Sequence, residues 1–349
     1  MKGSFREMST RQGTSLVEAL KIMEKSSYGI VFVLDGNDKL VGVLTDIDLR
    51  VSLLSGKKMD LAIENYMNKS PITISSKASK EEILEIKQKY ATKRILPVLD
   101  ENGRIIGVET TEYFVKAYPN AVVILAGGLG KRLMPLTANT PKPMLNINDR
   151  PLLEHMVKAF KMHGFNNIFI SINYQGEKIK EYFGDGKAFN VNIEYIEEPF
   201  KLGTAGALSL FPEMKSPVLV INGDILTNVD FGCLIDFHVN SGNDFTAALF
   251  KYDFQVPYGV ANIEGERLRG IEEKPIKEFF VLAGINVLNP GILKLIPKEH
   301  MYDMTTLIEE LISRNITVGC FPIREYWIDV GMETAYKKAN EDFSMFFNS

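Results

Sequence analysis

The sequence predicts an α/β fold with a mostly parallel sheet, preceded by a smaller domain that is built from an internal repeat. Three observations predict this arrangement. The chain has 349 residues, which is long for one hydrophobic core. Its first third repeats itself with an offset of 65 residues. In the remainder, short apolar segments alternate with helical patterns, as expected for strands and helices that cover both faces of a sheet.

The repeat pairs the segment 33–43 with the segment 98–108. Both segments begin with Val-Leu-Asp and end with Gly-Val. At the same offset Thr14 corresponds to Ser79, and each is a suitable N-cap ahead of a helix with apolar periodicity. Each copy is therefore predicted to contain a helix, a strand, a turn of Asp, Asn and Gly, and a second strand.

The second strand of the first copy continues into Gly42–Arg50, which resembles the end of a CBS repeat. Two tandem copies are the usual folding unit of that family. The resemblance implies that an adenosine nucleotide binds through the Thr and Asp of Gly-x-x-Thr-x-x-Asp, since a hydroxyl suits phosphate and a carboxylate suits ribose hydroxyls. Thr45 and Asp48 keep this pair, whereas the second copy keeps Thr110 but has Tyr113 in place of the Asp. A purely structural dimerisation module is the alternative interpretation.

Apolar segments after Asn120 predict the strands of the second domain. Their side chains suit a buried, mostly parallel sheet, and a nucleotide is expected at the carboxyl ends of such strands. The predicted strands are 122–126, 168–172, 218–221, 245–250 and 281–288, and the predicted helices include 151–163 and 305–314.

A glycine-rich loop follows directly on the strand predicted at 122–126. Its three glycines let backbone amides approach an anion, and Arg132 and Lys142 bring positive charge. Two commoner glycine motifs are excluded: a P-loop requires Ser or Thr where Arg132 stands, and a dinucleotide fingerprint requires a small residue where Leu133 stands. The residues predicted to bind the nucleotide here are Leu125, Ala126, Gly127, Gly128, Gly130 and Lys131.

The run from Gly127 through Met144 reads Gly-Gly-Leu-Gly-Lys-Arg-Leu-x-Pro-Leu-Thr-x4-Lys-Pro-Met. It resembles the signature of the sugar-1-phosphate nucleotidylyltransferases. The resemblance implies a Rossmann-like sheet of the nucleotide-diphospho-sugar transferase type. We therefore place a tandem CBS domain at 1–117, with copies at about 8–60 and 68–116, and the transferase domain at 118–349.

Two carboxylates are candidates for a magnesium site. Asp224 follows the strand predicted at 218–221, and Asp329 lies in Trp327–Gly331 near the end of the chain. The family has an Asp in both contexts. Two hard oxygen ligands, completed by phosphates and waters, are what Mg²⁺ usually takes.

The resemblance implies attack by a sugar phosphate oxygen on the α-phosphorus of a nucleoside triphosphate, with pyrophosphate leaving. No general base is needed because the nucleophile is already ionised at neutral pH. The catalytic residues are then Arg132 at the pyrophosphate, Lys142 at the α-phosphate, and the metal ligands Asp224 and Asp329. The residues assigned to the sugar phosphate are Gly259, Glu273, Lys274 and Asn286, although the family commonly has an aromatic residue at position 286.

Glu198 stands where thymidylyl- and uridylyltransferases of the family carry a Gln. A carboxylate only accepts hydrogen bonds, and guanine offers two adjacent donors, so Glu198 favours GTP. Gly203 and Thr204, in Leu-Gly-Thr-Ala-Gly, also resemble the guanylyltransferase branch. A CBS pair ahead of such a domain resembles the glucosamine-1-phosphate guanylyltransferases of bacterial legionaminic acid synthesis. A mannose-1-phosphate guanylyltransferase, a thymidylyl- or uridylyltransferase, and a nucleotide sensor without catalysis are the alternatives.

Composition, charge and residue spacing exclude several other classes of protein. The net charge of −4 offers no basic surface for nucleic acid. Cys233, Cys320 and the four histidines form no zinc pattern. No apolar run suits a membrane span, and Met1 to Gly13 is too polar for a signal peptide, so we expect a cytoplasmic protein. Homo-oligomerisation through the CBS domain is also expected.

Overall fold

The computed structural model describes residues 5–26, 28–54, 61–90, 95–110 and 117–347. The chain divides into two units. One unit comprises Met1–Tyr118, Met162–Gly164 and Phe231–Phe237, and the other comprises Pro119–Lys161, Phe165–Asp230 and His238–Ser349.

The N-terminal repeats form two similar three-stranded sheets in the described residues. In each sheet, a short outer strand pairs in parallel with the first strand of an antiparallel hairpin. The elements are β1 (Ser9–Arg11), α1 (Leu16–Lys25), β2 (Ile30–Leu34), β3 (Leu40–Thr45), α2 (Asp46–Leu54), β4 (Ile74–Ser75), α3 (Lys80–Lys89), β5 (Ile95–Leu99) and β6 (Ile105–Thr110).

The predicted order of helix, strand, turn and strand is present in both copies, but one helix cap differs from the prediction. Ser15, not Thr14, is the N-cap of α1, because its hydroxyl accepts from the Glu18 amide at 3.3 Å. The Thr14 hydroxyl donates instead to the Arg11 carbonyl at 2.7 Å. Ser79 caps α3 as predicted, in a capping box with Glu82.

The two repeats share an apolar cluster. It joins Phe32 and Leu34 of the first copy to Ile95 and Ile105 of the second. The tips of the two hairpins also meet, since the Leu40 amide donates to the Gly103 carbonyl at 3.0 Å. Neither copy therefore buries its apolar strand face alone, which explains why the copies occur as a pair.

The second part of the chain contains a seven-stranded sheet and several small sheets in its described residues. The elements are β7 (Val122–Leu125), β8 (Asn146–Ile147), β9 (Arg150–Pro151), α4 (Leu152–Met162), β10 (Asn167–Ile172), α5 (Gly176–Phe183), β11 (Asn192–Glu197), α6 (Gly203–Gly206), β12 (Val218–Asn222), β13 (Ile225–Thr227), α7 (Phe231–Asn240), β14 (Phe245–Gln255), β15 (Gly259–Glu264), β16 (Arg267–Glu273), β17 (Ile276–Leu288), α8 (Pro290–Leu293), α9 (Met304–Ser313), β18 (Val318–Ile323), β19 (Trp327–Asp329) and α10 (Glu333–Phe347).

The large sheet has the strand order β11-β10-β7-β12-β17-β14-β18. Every neighbouring pair is parallel except the two that involve β17, which runs antiparallel to β12 and to β14. The prediction of a mostly parallel α/β sheet is confirmed. Adjacent strands β10, β7 and β12 place their carboxyl ends at one edge, where the glycine loop begins.

Strands β14 and β17 are longer than predicted. Residues 251–255 of β14 pair with residues 276–280 of β17 beyond the edge of the large sheet. We call this two-stranded extension the ribbon. The hairpin of β15 and β16 connects its two strands. The sequence pattern did not predict the ribbon, because its residues are exposed on both faces and therefore lack the apolar run that is typical of a buried strand.

No helix among the described residues is long and apolar enough to cross a membrane.

Candidate active site

The glycine loop is held tightly between two neighbouring strand ends. The Ala126 amide donates to the Ser171 carbonyl of β10 at 2.8 Å, and the Gly223 amide donates to the Leu125 carbonyl at 2.9 Å. Gly223 has no room for a side chain, because a Cβ there would lie 2.8 Å from the Leu125 carbonyl oxygen. The loop therefore starts from a backbone position that β10 and β12 define together.

Gly130 turns the loop back toward Lys142. Its φ of 60° is left-handed, and a Cβ would lie 2.9 Å from the Thr137 Cγ2 and 3.2 Å from the Lys142 Cβ. The Thr137 hydroxyl donates to the Gly130 carbonyl at 2.8 Å. The turn explains how Lys142, twelve positions later in the sequence, comes to lie beside the glycines.

Lys142 lies between the two predicted metal ligands. Its ammonium makes an ion pair with Asp224 and lies 4.0 Å from Asp329 Oδ1. The small sheet of β13 and β19 brings the carboxylates together: Ile225 pairs with Asp329, and the Val330 amide donates to the Asp224 carbonyl at 2.8 Å. Three of the four residues predicted to be catalytic thus meet at one point.

The fourth, Arg132, lies on the Asp329 side of this group. Its Nη2 would be 3.3 Å from a Cβ at Gly331, and the Asp329 Oδ1 would be 2.7 Å from that same Cβ. Arg132 is exposed, whereas Lys142 is buried. Arg132 is therefore accessible to a group that enters from solvent, and its role at the pyrophosphate stays a prediction.

The surroundings of Asp329 disfavour its charged form. Burial, and secondly the charge of Asp224, raise the pKa of Asp329, while Lys142 and Arg132 oppose the rise. Asp224 Oδ1 is buried and has no hydrogen-bond partner among the described residues. A buried carboxylate oxygen without a partner costs free energy, which a cation would remove.

These donors fit a magnesium ion. Within the described part of the chain, no cluster of three or more His, Cys, Asp or Glu side chains could hold a metal. Two carboxylates alone suit Mg²⁺, which keeps several waters and takes phosphate oxygens as further ligands. Asp224 and Asp329 are the residues that would hold it.

Glu198 packs directly against the first glycine of the loop. Its Oε1 accepts from the Ser171 hydroxyl at 2.6 Å, and its Oε2 accepts from the Leu202 amide at 3.2 Å. A Cβ at Gly127 would lie 2.5 Å from the same Oε1. Asn173 also donates to the Glu198 backbone carbonyl at 2.8 Å. Glu198 is thus fixed beside the residues predicted to contact the nucleotide.

Gly203 and Thr204 have clear packing roles. A Cβ at Gly203, where φ is 82°, would lie 2.7 Å from the Tyr302 carbonyl oxygen. The Thr204 hydroxyl accepts from the Met304 amide at 2.8 Å, and the Thr204 amide donates to Asp303 Oδ1 at 3.2 Å. This reciprocal pairing joins the start of α6 to the start of α9. Nucleotide binding by these two residues stays a prediction.

The residues predicted for the sugar phosphate lie in two places. Gly259 pairs with Glu273 on the hairpin of β15 and β16, and Lys274 follows with a φ of 47°. All three are exposed. Asn286 instead lies within the large sheet, opposite Val220 and Ala247, and is 6% exposed.

Sequence reasoning missed the residues that hold the site in shape. Ser171 and Asn173 position Glu198, and Gln175 Nε2 donates to the Ala138 carbonyl at 3.1 Å. Lys178 also donates to the Asn139 carbonyl. Asn173 could have been found, because it follows the strand predicted at 168–172 as Asp224 follows β12. The role of Ser171 could not have been found from the sequence, because this residue lies inside an apolar strand.

In the N-terminal unit, Thr45 and Asp48 bond to each other. Asp48 Oδ2 accepts from the Thr45 amide at 2.8 Å and from its hydroxyl at 2.6 Å. The carboxylate thus caps the first turn of α2. Thr110 ends β6, and Tyr113 lies outside the described residues.

Two family profiles match the chain. The sequence profile of a family described as nucleotidyl transferase matches residues 121–345. The CBS domain profile matches residues 7–55 and 63–117. These matches correspond to the glycine-loop region and to the two repeats.

Curated relatives include a mannose-1-phosphate guanyltransferase of Debaryomyces hansenii, 33% identical over 226 residues, with 60% of each chain covered. A probable mannose-1-phosphate guanylyltransferase 1 of Oryza sativa subsp. japonica is 32% identical over 229 residues, with 61% of this chain and 62% of that protein covered. The chain thus spans about three fifths of the length of these relatives.

Two solved structures each resemble more than three fifths of the chain. HddC from Yersinia pseudotuberculosis, complexed with GMP-PN, has a TM-score of 0.52 at 27% identity and covers 64% of this chain and 99% of its own. A putative glucose-1-phosphate thymidylyltransferase from Bacillus anthracis, in complex with a sucrose, has a TM-score of 0.52 at 25% identity, covering 63% of this chain and 94% of its own. The chain, with its tandem CBS repeats, belongs to the nucleotidyl transferase family.

Proposed function

We propose that the protein transfers a nucleoside monophosphate from a nucleoside triphosphate to a sugar 1-phosphate and releases pyrophosphate. The observation that carries the proposal is the position of Lys142, whose ammonium lies between Asp224 and Asp329 beside the glycine loop. This group offers cations to phosphates and carboxylates to a metal in the same small volume.

The reaction forms one P–O bond and breaks another. An oxygen of the sugar phosphate attacks the α-phosphorus, and the bond from that phosphorus to the pyrophosphate oxygen breaks. The protein's task is to align the reactants and offset their charge, as in other phosphoryl transfers. Lys142 meets the α-phosphate, and Arg132 meets the departing pyrophosphate. When bound, magnesium at Asp224 and Asp329 supplies positive charge that stabilises the phosphate oxygens.

GTP is the nucleotide that we propose. Glu198 accepts hydrogen bonds only, and its carboxylate retains lone pairs beyond those used by Ser171 and Leu202. Guanine presents two neighbouring donors that suit such an acceptor. The relatives named as guanylyltransferases support this choice.

For the acceptor we propose glucosamine 1-phosphate, which would make the product GDP-glucosamine for legionaminic acid synthesis. The support is the combination of a CBS pair with a guanylyltransferase-like region. Mannose 1-phosphate is the second candidate, and the names of the relatives favour it. The residues that would select between the two sugars are Glu273, Lys274 and Asn286, of which Asn286 is buried.

One assay tests the nucleotide and the sugar together. Pyrophosphate release is measured over a grid of GTP, UTP, dTTP and ATP against glucosamine, mannose and glucose 1-phosphates. We expect GTP with glucosamine 1-phosphate to give the highest kcat/KM. Preference for UTP or dTTP would contradict the role of Glu198, and nucleotide binding without turnover on any acceptor would favour a sensor.

The CBS pair is proposed to bind an adenosine nucleotide through Thr45 and Asp48 and to modulate the transferase. Both groups are polar and partly buried at the start of α2, although they now bond to each other. Calorimetry with AMP, ADP and ATP tests binding, with Asp48→Asn as the variant because Asn keeps an acceptor for the Thr45 amide. A typical coupling would change substrate affinity about 5- to 150-fold. No binding at millimolar concentration would favour a dimerisation module.

Homo-oligomerisation through the CBS domain, a cytoplasmic location and a domain boundary at 117/118 stay predictions of the sequence.

A further inference from the structure

The ammonium of Lys142 lies in the space between the two candidate metal ligands. It donates to Asp224 Oδ2 and lies 4.0 Å from Asp329 Oδ1. A magnesium ion that both carboxylates hold directly needs an oxygen of each at about 2.0–2.1 Å. Two cations in so small a volume repel each other strongly, and more so where water is scarce. The ammonium and a metal bound to both carboxylates therefore compete for the same place.

The two carboxylates differ in how easily a metal can reach them. The side chain of Asp329 is 46% exposed, whereas that of Asp224 is 23% exposed. Asp224 Oδ1 is buried, and Asp224 Oδ2 is bonded to Lys142. Mg²⁺ keeps several waters when it binds a protein, so it needs a carboxylate oxygen that is open to solvent. A metal can therefore reach Asp329 directly, but it can reach Asp224 only when the ammonium leaves Oδ2.

The side chain of Lys142 can change partners while its backbone stays in place. The Lys142 carbonyl accepts from the Leu145 amide at 3.1 Å, and a Cβ at Gly130 would lie 3.2 Å from the Lys142 Cβ. Beyond this fixed point, a flexible stem of four carbons carries the ammonium. An ammonium has three N–H donors, and among the described residues Asp224 Oδ2 is its one hydrogen-bond acceptor. The ammonium therefore has donors to spare for a second anion.

We propose that Lys142 keeps Asp224 from the metal until a phosphate draws the ammonium away, so that metal and nucleotide bind cooperatively. The inference rests on the proposed function, which places Lys142 at the α-phosphate. The ammonium exchanges one anion for another, and Asp224 becomes a metal ligand in the same exchange. Neither a buried carboxylate without a partner nor two adjacent cations remain afterwards. Without nucleotide, the ion pair weakens metal binding.

Titration of the full chain with Mn²⁺ alone, followed by electron paramagnetic resonance, tests the competition without any turnover. Mn²⁺ is a suitable probe because it takes the same oxygen ligands as Mg²⁺. Lys142→Met removes the charge and should bind Mn²⁺ at least about tenfold more tightly, within the usual 5- to 150-fold range of coupling between sites. Lys142→Arg keeps the charge and should bind Mn²⁺ as weakly as the unmodified protein. A folded Lys142→Met protein without tighter binding would overturn the proposal.

Two further variants show where the added affinity arises. Lys158→Met is the matched control, because Lys158 also pairs with a carboxylate, that of Glu154 at 2.6 Å, and its loss changes the net charge equally. It should leave the affinity for Mn²⁺ unchanged. The double variant Lys142→Met, Asp224→Asn should lose the gain. Equal gains in Lys158→Met, or a gain that survives in the double variant, would contradict the competition at Asp224.

The titration and the transferase assay can fail separately. Tighter Mn²⁺ binding by Lys142→Met, in a chain whose unmodified form releases no pyrophosphate, would refute only the transferase. Pyrophosphate release by the unmodified protein, with equal Mn²⁺ affinity in Lys142→Met, would refute only the competition.

NMR of the unmodified protein gives a second test that does not depend on the folding of Lys142→Met. The Cε–Hε signals of ¹³C-labelled lysines are recorded while Mg²⁺ is added, and the signal of Lys142 is the one that disappears in Lys142→Arg. At saturating Mg²⁺ this signal should move toward those of exposed lysines such as Lys131, because the ion pair with Asp224 is broken. An unmoved signal would mean that both cations share the carboxylates, which would contradict the proposal.

Discussion

Alanine at position 127 is expected to dislodge the carboxylate of Glu198. The new Cβ would lie 2.5 Å from Glu198 Oε1 and 3.3 Å from the Asn173 Cβ. The carboxylate cannot retreat without weakening its hydrogen bonds to Ser171 at 2.6 Å and to Leu202 at 3.2 Å. A hydrogen bond to a charged group contributes about 1.5–3 kcal/mol, so losing one should lower stability by that amount. The corresponding fall in Tm is about 3 to 12 °C for a domain of this size.

Gly128→Ala is the matched control, because a Cβ at Gly128 would meet no heavy atom within 4 Å. It should leave stability unchanged or raise it by about 0.4–1 kcal/mol, since alanine restricts the unfolded chain. Trp327, the single tryptophan of the chain, stacks on Phe250 with ring centroids 4.9 Å apart, so its fluorescence follows unfolding of the transferase region. Measured without ligand, equal melting temperatures for the two variants would refute the packing of Glu198 against Gly127.

Three further outcomes are expected. Asp224→Asn should lower kcat at least about a hundredfold, because it removes a charged metal ligand. The control is Asp149→Asn, which should leave kcat unchanged, because the Asp149 carboxylate is 67% exposed. A comparable kcat in both variants would exclude the metal role of Asp224. Ser171→Ala should reduce the preference for GTP over UTP about tenfold by releasing Glu198, with no change in KM for the sugar phosphate. Burial lowers the pKa of His238, so the unfolded chain binds a proton more readily and stability should fall as pH drops below about 6.5; a fluorescence melt of His238→Gln that shows the same fall would contradict this.

Much of the transferase sheet could be predicted because its strands are buried apolar runs with polar residues at their ends. Asp224 was found in this way, from its position after β12. The antiparallel direction of β17 could not be predicted, because an apolar sequence does not indicate whether a strand runs parallel or antiparallel to its neighbours. The ribbon was missed because exposed strands lack the pattern of burial.

The sequence suggested the residues of the candidate site, but it could not suggest the contacts among them. Asp329 meets Asp224 through β13 and β19, which are only three residues long and lie about a hundred residues apart. Strands this short leave no periodic signal. The pairing of Ser171 with Glu198 likewise depends on the neighbouring positions of β10 and β11, which only the folded sheet establishes.

Phosphorus NMR of the full chain with GTP, a sugar 1-phosphate and Mg²⁺ tests the central claim most directly. If Lys142, Asp224 and Asp329 form a nucleotidyl transfer site, pyrophosphate and a nucleoside diphosphate sugar should appear in equal amounts as GTP disappears. Release of inorganic phosphate with GDP, or no loss of GTP with any sugar 1-phosphate in a folded protein, would contradict it.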